Sequence, residues 1–198
     1  MASILAAYHH SAAVSRDGHL YTWGSCGEPE TSGRMCFPET DRFNDVGGGD
    51  GGNGATAGGG VDLDSKRVNL LGHGDDYDEA DVPKLVKGPL SKKRVVGVSG
   101  GAYITAAVTT DGQLFTWGGG GNGALGHKER MNLNAPTLVC GALRGKFVVT
   151  VSASGDAHAA ALTRDGELYT WGQGRFLQLG HGNDDNRFQP ALVGGLLR

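Results

Sequence analysis

Seven histidines and one dense run of carboxylates are the side chains here best suited to holding a metal or moving a proton. Their spacing argues against both uses. His73, His127 and His181 each follow a Leu-Gly pair and recur every 54 residues, while His10 and His158 share a second recurring position. A metal site needs convergent ligands and an ordered surrounding shell, and equivalent positions of successive repeats stand far apart. Each histidine is therefore expected to bond a loop backbone. Ser, His and Asp all occur, but in no nucleophile-elbow or triad context. Gly121-Asn122-Gly123-Ala124-Leu125-Gly126 matches the dinucleotide pattern, which works only where it opens a helix within a βαβ unit. Its last two residues belong to a Leu-Gly-His that returns at Leu179–His181 without the earlier glycines. No catalytic residue, cofactor or metal is assigned, and the chain is expected not to be an enzyme.

The run Asp75, Asp76, Tyr77, Asp78, Glu79, Ala80, Asp81 packs five carboxylates into seven residues. Such charges repel one another unless a cation or basic partner compensates, and the run lacks the glycine and ligand order of an EF-hand loop. It is expected to form a solvated loop, with Asp75, Asp76, Tyr77, Asp78, Glu79 and Asp81 as the candidate partner-binding residues.

The elements carrying these residues are written three times. Asp17-Gly18-His19-Leu20-Tyr21-Thr22-Trp23-Gly24 returns as Asp111–Gly118 and as Asp165–Gly172. Each copy is followed by Leu-Gly-His and then by Val82-Pro83-Lys84-Leu85-Val86, Ala135-Pro136-Thr137-Leu138-Val139 or Gln189-Pro190-Ala191-Leu192-Val193. Self-similarity at such a period means a solenoid or a propeller. Within each copy, Asp-Gly separates two short apolar, β-branched or aromatic runs, such as Ala106–Thr109 and Leu114–Trp117. That pattern predicts a hairpin with a tight primed turn. Outer strands are expected near Pro136–Val139 and Phe147–Val151, giving about four short strands per repeat, the size of a propeller blade. No sustained apolar 3.6 periodicity exists, so almost no helix is expected. Trp23, Trp117 and Trp171 share one repeat position and are expected to pack between adjacent blades. Much of the glycine, 36 of 198 residues, falls in the repeat, at turns and close backbone approaches.

The ordered markers Gly-x-x-His, Asp-Gly, Leu-aromatic-Thr-Trp-Gly, Leu-Gly-His and Pro-x-Leu-Val resemble the regulator of chromosome condensation repeat. Ile104 replaces the His in the second copy and Ala7 the Gly in the first. The resemblance implies an all-β fold: β-propeller blades of four antiparallel strands, about three of an expected seven-bladed ring. It also implies a non-enzymatic protein-interaction scaffold, with guanine-nucleotide exchange on a small GTPase as the alternative; no exchange residue transfers to this sequence.

The chain is expected to form a single repeat domain over residues 1–198, divided at about 1–94, 95–148 and 149–198, with an insertion at about 28–68. The Gly-rich stretch Gly47–Gly60 has almost nothing apolar to bury and is expected to be a disordered loop. Three blades cannot close a ring, and bare blade faces are a liability in water, so remaining blades or another chain are expected to complete the propeller.

A formal net charge of −3 with scattered Lys and Arg leaves no footprint for direct nucleic-acid binding. The compact basic cluster Lys92-Lys93-Arg94 is expected in an inter-strand turn. Cys26, Cys36 and Cys140 show no paired spacing, as expected of free thiols in a reducing compartment. With no membrane-spanning run and no signal peptide at Met1–Ala7, an intracellular place, cytoplasmic or nuclear, is expected.

Overall fold

The computed structural model describes residues 3–25, 68–75, 79–155 and 158–194. The expected insertion, with Cys26 and Cys36, lies almost wholly outside them. Three antiparallel four-stranded sheets, one per repeat, make up the described structure. The first contains β1 (Ile4–Ala6), β2 (His10–Val14), β3 (Leu20–Ser25) and β4 (Glu79–Leu85). The second contains β5 (Val95–Gly100), β6 (Ile104–Thr109), β7 (Leu114–Gly118) and β8 (Leu133–Leu138). The third contains β9 (Val148–Ala153), β10 (His158–Thr163), β11 (Leu168–Gly172) and β12 (Arg187–Leu192). In every sheet the strands pair in chain order, the meander of a propeller blade. Helix among the described residues amounts to two 3-10 turns, Gly88–Leu90 and Gly141–Leu143.

Two expectations need correction. The segment Phe147–Val151 does not supply an outer strand: β9 opens the third sheet and runs beside β5, as β5 runs beside β1. The outer strand of the second blade is β8 alone. The Asp-Gly hairpins also turn differently. Gly18 N–H donates to Ser15 O at 3.0 Å and Ser15 N–H to His19 O at 2.9 Å, and the same two bonds recur at Thr109–Gln113 and Thr163–Glu167. Only the glycine takes a positive φ, +84°, +76° and +80° in turn. This is the three-residue loop closed by a left-handed glycine, not the two-residue primed turn, because the aspartate keeps its ordinary backbone region.

The first two hairpin turns are also docking points. The carbonyl of Gly18 accepts from Val95 N–H, and that of Gly112 accepts from Val148 N–H, both at 2.9 Å. The turn of one blade thus holds the first strand of the next. Between the blades lie two apolar cores. One joins Leu5, Val14 and Leu20 to Val95, Phe115 and Trp117; the other joins Ile104, Val108 and Leu125 to Val148, Tyr169 and Trp171. The middle blade is consequently buried on both faces along β6 and β7. By contrast β2 alternates buried and half-buried residues, as a strand covered on one face does.

Candidate functional site

Every blade carries the same internal clasp, built from the two repeated phrases. Thr22 Oγ1 donates to Leu71 O at 2.7 Å and lies 3.0 Å from His73 Nε2. Thr116 makes the same pair of contacts to Leu125 O and His127 Nε2, at 2.7 and 2.9 Å, and Thr170 to Leu179 O and His181 Nε2, at 2.5 and 3.0 Å. A threonine hydroxyl has one proton, and the carbonyl takes it, so the imidazole donates its Nε2–H to the hydroxyl oxygen. The Nε2 of each of these histidines therefore bonds a side-chain hydroxyl, where a loop backbone was expected. Burial pushes the His127 imidazole below its usual range; burial and then the charge of Lys84 do the same to His73, partly offset by a hydrogen bond to the Thr22 backbone.

A second clasp crosses the seams. Trp117 Nε1–H donates to Leu70 O at 2.9 Å, and Trp171 Nε1–H to Ala124 O at 2.7 Å. Both indoles are fully buried, in the inter-blade role expected of them. A register shift falls at each tryptophan, between Thr22 and Gly24, Thr116 and Gly118, and Thr170 and Gly172. Trp23 occupies the same register and is half-buried. The glycine of Leu-Gly-His is where the indole lands: a Cβ on Gly72 would sit 2.9 Å from Trp117 Nε1, and one on Gly126 2.9 Å from Trp171 Nε1. Gly123 and Gly126 of the dinucleotide-like stretch thus serve close packing, and no helix follows them.

His10 bridges the first seam. Its Nε2 lies 2.8 Å from Thr105 Oγ1, which itself donates to Leu70 O at 2.8 Å. The ring is 2% exposed, its Nδ1 has no hydrogen-bond partner among the described residues, and burial followed by the charge of His9 lowers its pKa to about 4. Where the second copy has Ile104, the facing third blade has Ala159 in place of Thr105, and both belong to the second seam's core. The departure from the repeat pattern is thus matched across the seam, His with Thr and Ile with Ala.

The acidic run divides. Asp75 is exposed and its Oδ1 accepts from Asn134 Nδ2 of the second blade at 2.7 Å. Asp76, Tyr77 and Asp78 lie outside the described residues. Glu79 and Asp81 begin β4 in place of the expected loop; both are exposed and flank buried Ala80, which pairs with Gly24. Ala80 is buried against β3 while its neighbours stay in water, the alternation of an edge strand. Sequence reasoning missed Asn69, which organises this rim. Its Oδ1 accepts from the backbone N–H of Leu71 and of Gly72, its Nδ2 donates to Gly74 O, and its own N–H donates to Asn134 Oδ1. The other copies have Gly123 and Leu177 there, so the repeat pattern carried no signal for it.

The basic cluster lies in the turn before β5. Lys93 pairs with Asp111 at 2.5 Å and holds that carboxyl below its usual range, with help from Thr109. Arg94 reaches Arg16 O at 3.4 Å. Cys140 is a free, exposed thiol. Among the described residues, no group of histidine, cysteine or acidic side chains could hold a metal ion, and no helix is long and apolar enough to cross a membrane.

Three meander blades with these clasps define a propeller-type repeat protein. The regulator of chromosome condensation (RCC1) repeat matches residues 67–108, 111–162 and 165–198, and the chain belongs to that family. It is 47% identical over 105 residues to human E3 ubiquitin-protein ligase HERC2, an alignment spanning 53% of this chain and 2% of the ligase. It is 29% identical to the mitochondrial RCC1 domain-containing protein RUG3 of Arabidopsis thaliana, over 86% of this chain and 42% of that one. The chain spans less than half the length of these relatives. Among solved structures, human WBSCR16 matches with a TM-score of 0.65 at 20% identity, covering 97% of this chain and 39% of that one. Yeast RCC1 (Prp20), solved with Kap60, matches at 0.67 and 16% identity, covering 97% and 36%. These two likenesses show the fold.

Proposed function

We propose that this chain is a non-enzymatic protein-interaction scaffold. One observation carries the reading: the clasps that build the blades repeat, while the rim positions around them differ from blade to blade. Next to the histidine clasp stand Lys84 and Lys87 in the first blade, Thr137 and Cys140 in the second, and Ala191 and Gly194 in the third. A rigid frame with varied loops is how binding surfaces are commonly presented. The relatives point the same way: yeast RCC1 has been solved bound to Kap60, and Prp20p was studied for its binding to Gsp1p and histones.

The candidate partner surface is the acidic rim of the first blade, Asp75, Glu79 and Asp81 with Asp76, Tyr77 and Asp78, suited to a basic partner face. The outer faces of the first and third blades suit further blades of the same repeat. Trp23 stands ready for a preceding Leu-Gly turn. Among the described residues a Cβ on Gly180 would meet only Val193, at 3.5 Å, where Gly72 and Gly126 face a tryptophan.

A pull-down from cell extract, run beside a nucleotide-release assay on a small GTPase, tests the reading. Capture of discrete proteins that is lost when Asp75, Glu79 and Asp81 are changed to Asn, Gln and Asn supports it. Release accelerated about a hundredfold, on the order of 2.7 kcal/mol of barrier, would replace it with the exchange reading.

A further inference from the structure

Each internal seam joins a leading face, turned to the preceding blade, with a trailing face, turned to the next. The leading face offers Ala107, Phe115 and Trp117 in the second blade and Ala161, Tyr169 and Trp171 in the third, all buried. Ala13, Tyr21 and Trp23 hold the same register in the first blade and are only half-buried. The trailing face offers Ala12, Val14 and Leu20, then Ala106, Val108 and Leu114. Ala160, Leu162 and Leu168 hold that register in the third blade, where Leu162 is exposed and the other two are half-buried. The chain thus carries one further face of each kind.

Glycines show what the trailing face of the third blade accommodates. Gly101, Gly112 and Gly126 of the second blade are buried, and Ser154, Phe147 and Trp171 of the third leave no room for a Cβ on them. The equivalent Gly155, Gly166 and Gly180 are exposed.

A polar pair selects the occupant. In the first seam His10 Nε2 meets Thr105 Oγ1, and in the second Ile104 packs with Ala159. The third blade has His158 at this position, with Nδ1 2.8 Å from Ser154 Oγ, so Nε2 is the nitrogen that a docked blade would meet, as in His10. A face bearing alanine would leave a buried N–H without an acceptor. The leading face of the first blade bears a hydroxyl instead: Ser11 lies opposite Trp23 as Thr105 lies opposite Trp117.

We propose that the first blade of a second copy of this chain docks on the third blade, head to tail. Ser11 of one copy accepts from His158 Nε2–H of the other, and Trp23 donates to the Gln178 carbonyl across Gly180. Two different surfaces meet, so the contact is heterologous. The proposal rests on the scaffold reading and names one partner, the chain itself.

Sedimentation velocity of the full chain over a concentration series tests it. Wild type should associate as concentration rises. Ala13→Arg blocks the leading face and Ala160→Arg the trailing face, each outside the internal seams. Either variant alone should be monomeric, and an equimolar mixture should form a 1:1 dimer, because one open face of each kind remains. A gentler set guards against misfolding. Ser11→Ala should weaken association about tenfold, and adding His158→Ile should restore it by reproducing the Ile104–Ala159 pair. Gly180→Ala, which costs the single chain only backbone strain, should weaken association too. A blocked variant that dimerises by itself, a mixture that stays monomeric while wild type associates, or full association by Ser11→Ala overturns the proposal. Wild type that stays monomeric up to about 100 μM also overturns it and assigns the two faces to blades of another chain. If the pull-down still captures partners then, the scaffold reading stands without self-docking.

Discussion

The indole N–H of Trp171 donates to the carbonyl of Ala124 at 2.7 Å, joining the third blade to the second. Gly126 lies beneath that indole, and a Cβ there would sit 2.9 Å from Nε1 at a φ of +80°. Gly126→Ala combines backbone strain with displacement of a buried ring and should cost about 2–4 kcal/mol. Gly180→Ala has the same φ class, +75°, but nothing among the described residues nearer than 3.5 Å. It should cost only the backbone term, about 1 kcal/mol. Urea unfolding of the two variants checks the contrast, and equal losses would mean that the seam does not depend on the indole.

The matched pairs His10–Thr105 and Ile104–Ala159 predict coupling across the first seam. Thr105→Ala leaves the buried Nε2–H of His10 without an acceptor and should cost about 2–3 kcal/mol. Made in the His10→Ile background, the same change should cost about 1 kcal/mol less, because no donor is orphaned there. A double-mutant cycle by chemical denaturation measures the difference. Additive losses would show that the two side chains act independently.

Stability should also depend on pH through His10. Its folded pKa of about 4 lies below the ordinary value near 6.5. Above pH 6.5 the ring is neutral in both states and contributes nothing. Between pH 6.5 and 4 the unfolded chain takes up a proton that the folded chain refuses, so stability falls by about 3 kcal/mol across that window. His10→Ile should remove this loss. His73 and His127, also held low by burial, act in the same direction in both proteins and cancel in the comparison. Parallel pH–stability curves for wild type and variant would contradict the assignment.

Leu177 has a φ of +62°, at the position where the second copy has Gly123. Its side chain is 61% exposed, so little burial offsets the strain of a left-handed leucine. Leu177→Gly should therefore stabilise the chain by about 0.5–1 kcal/mol. A thermal melt decides it, and a lower midpoint would show that the leucine contributes packing that outweighs its strain.

The repeat, the hairpins, the four-stranded blade and the inter-blade place of Trp117 and Trp171 were legible in the residues, because turn chemistry and period-two apolar runs are local and were written three times. The family resemblance rested on the same markers. Local pattern did not reach further than that. It placed Phe147–Val151 on the outside of a blade, though which sheet a strand opens depends on what lies beside it. It expected a primed turn, since Asp-Gly is compatible with both loop types and the flanking strand register chooses between them. It assigned the histidines to backbone partners, while their threonine acceptors lie 11 residues away in two blades and 51 in the first. Near-identical runs, Ala12-Ala13-Val14 and Ala106-Ala107-Val108, differ in the burial of their middle residue: Ala107 is fully covered between two blades, while Ala13 is half-exposed with a neighbour on one side. The sequence by itself determined what each blade is. Tertiary structure alone decided which faces are covered and how His10 is matched to Thr105, because burial and juxtaposition belong to pairs of blades and not to the residues of one.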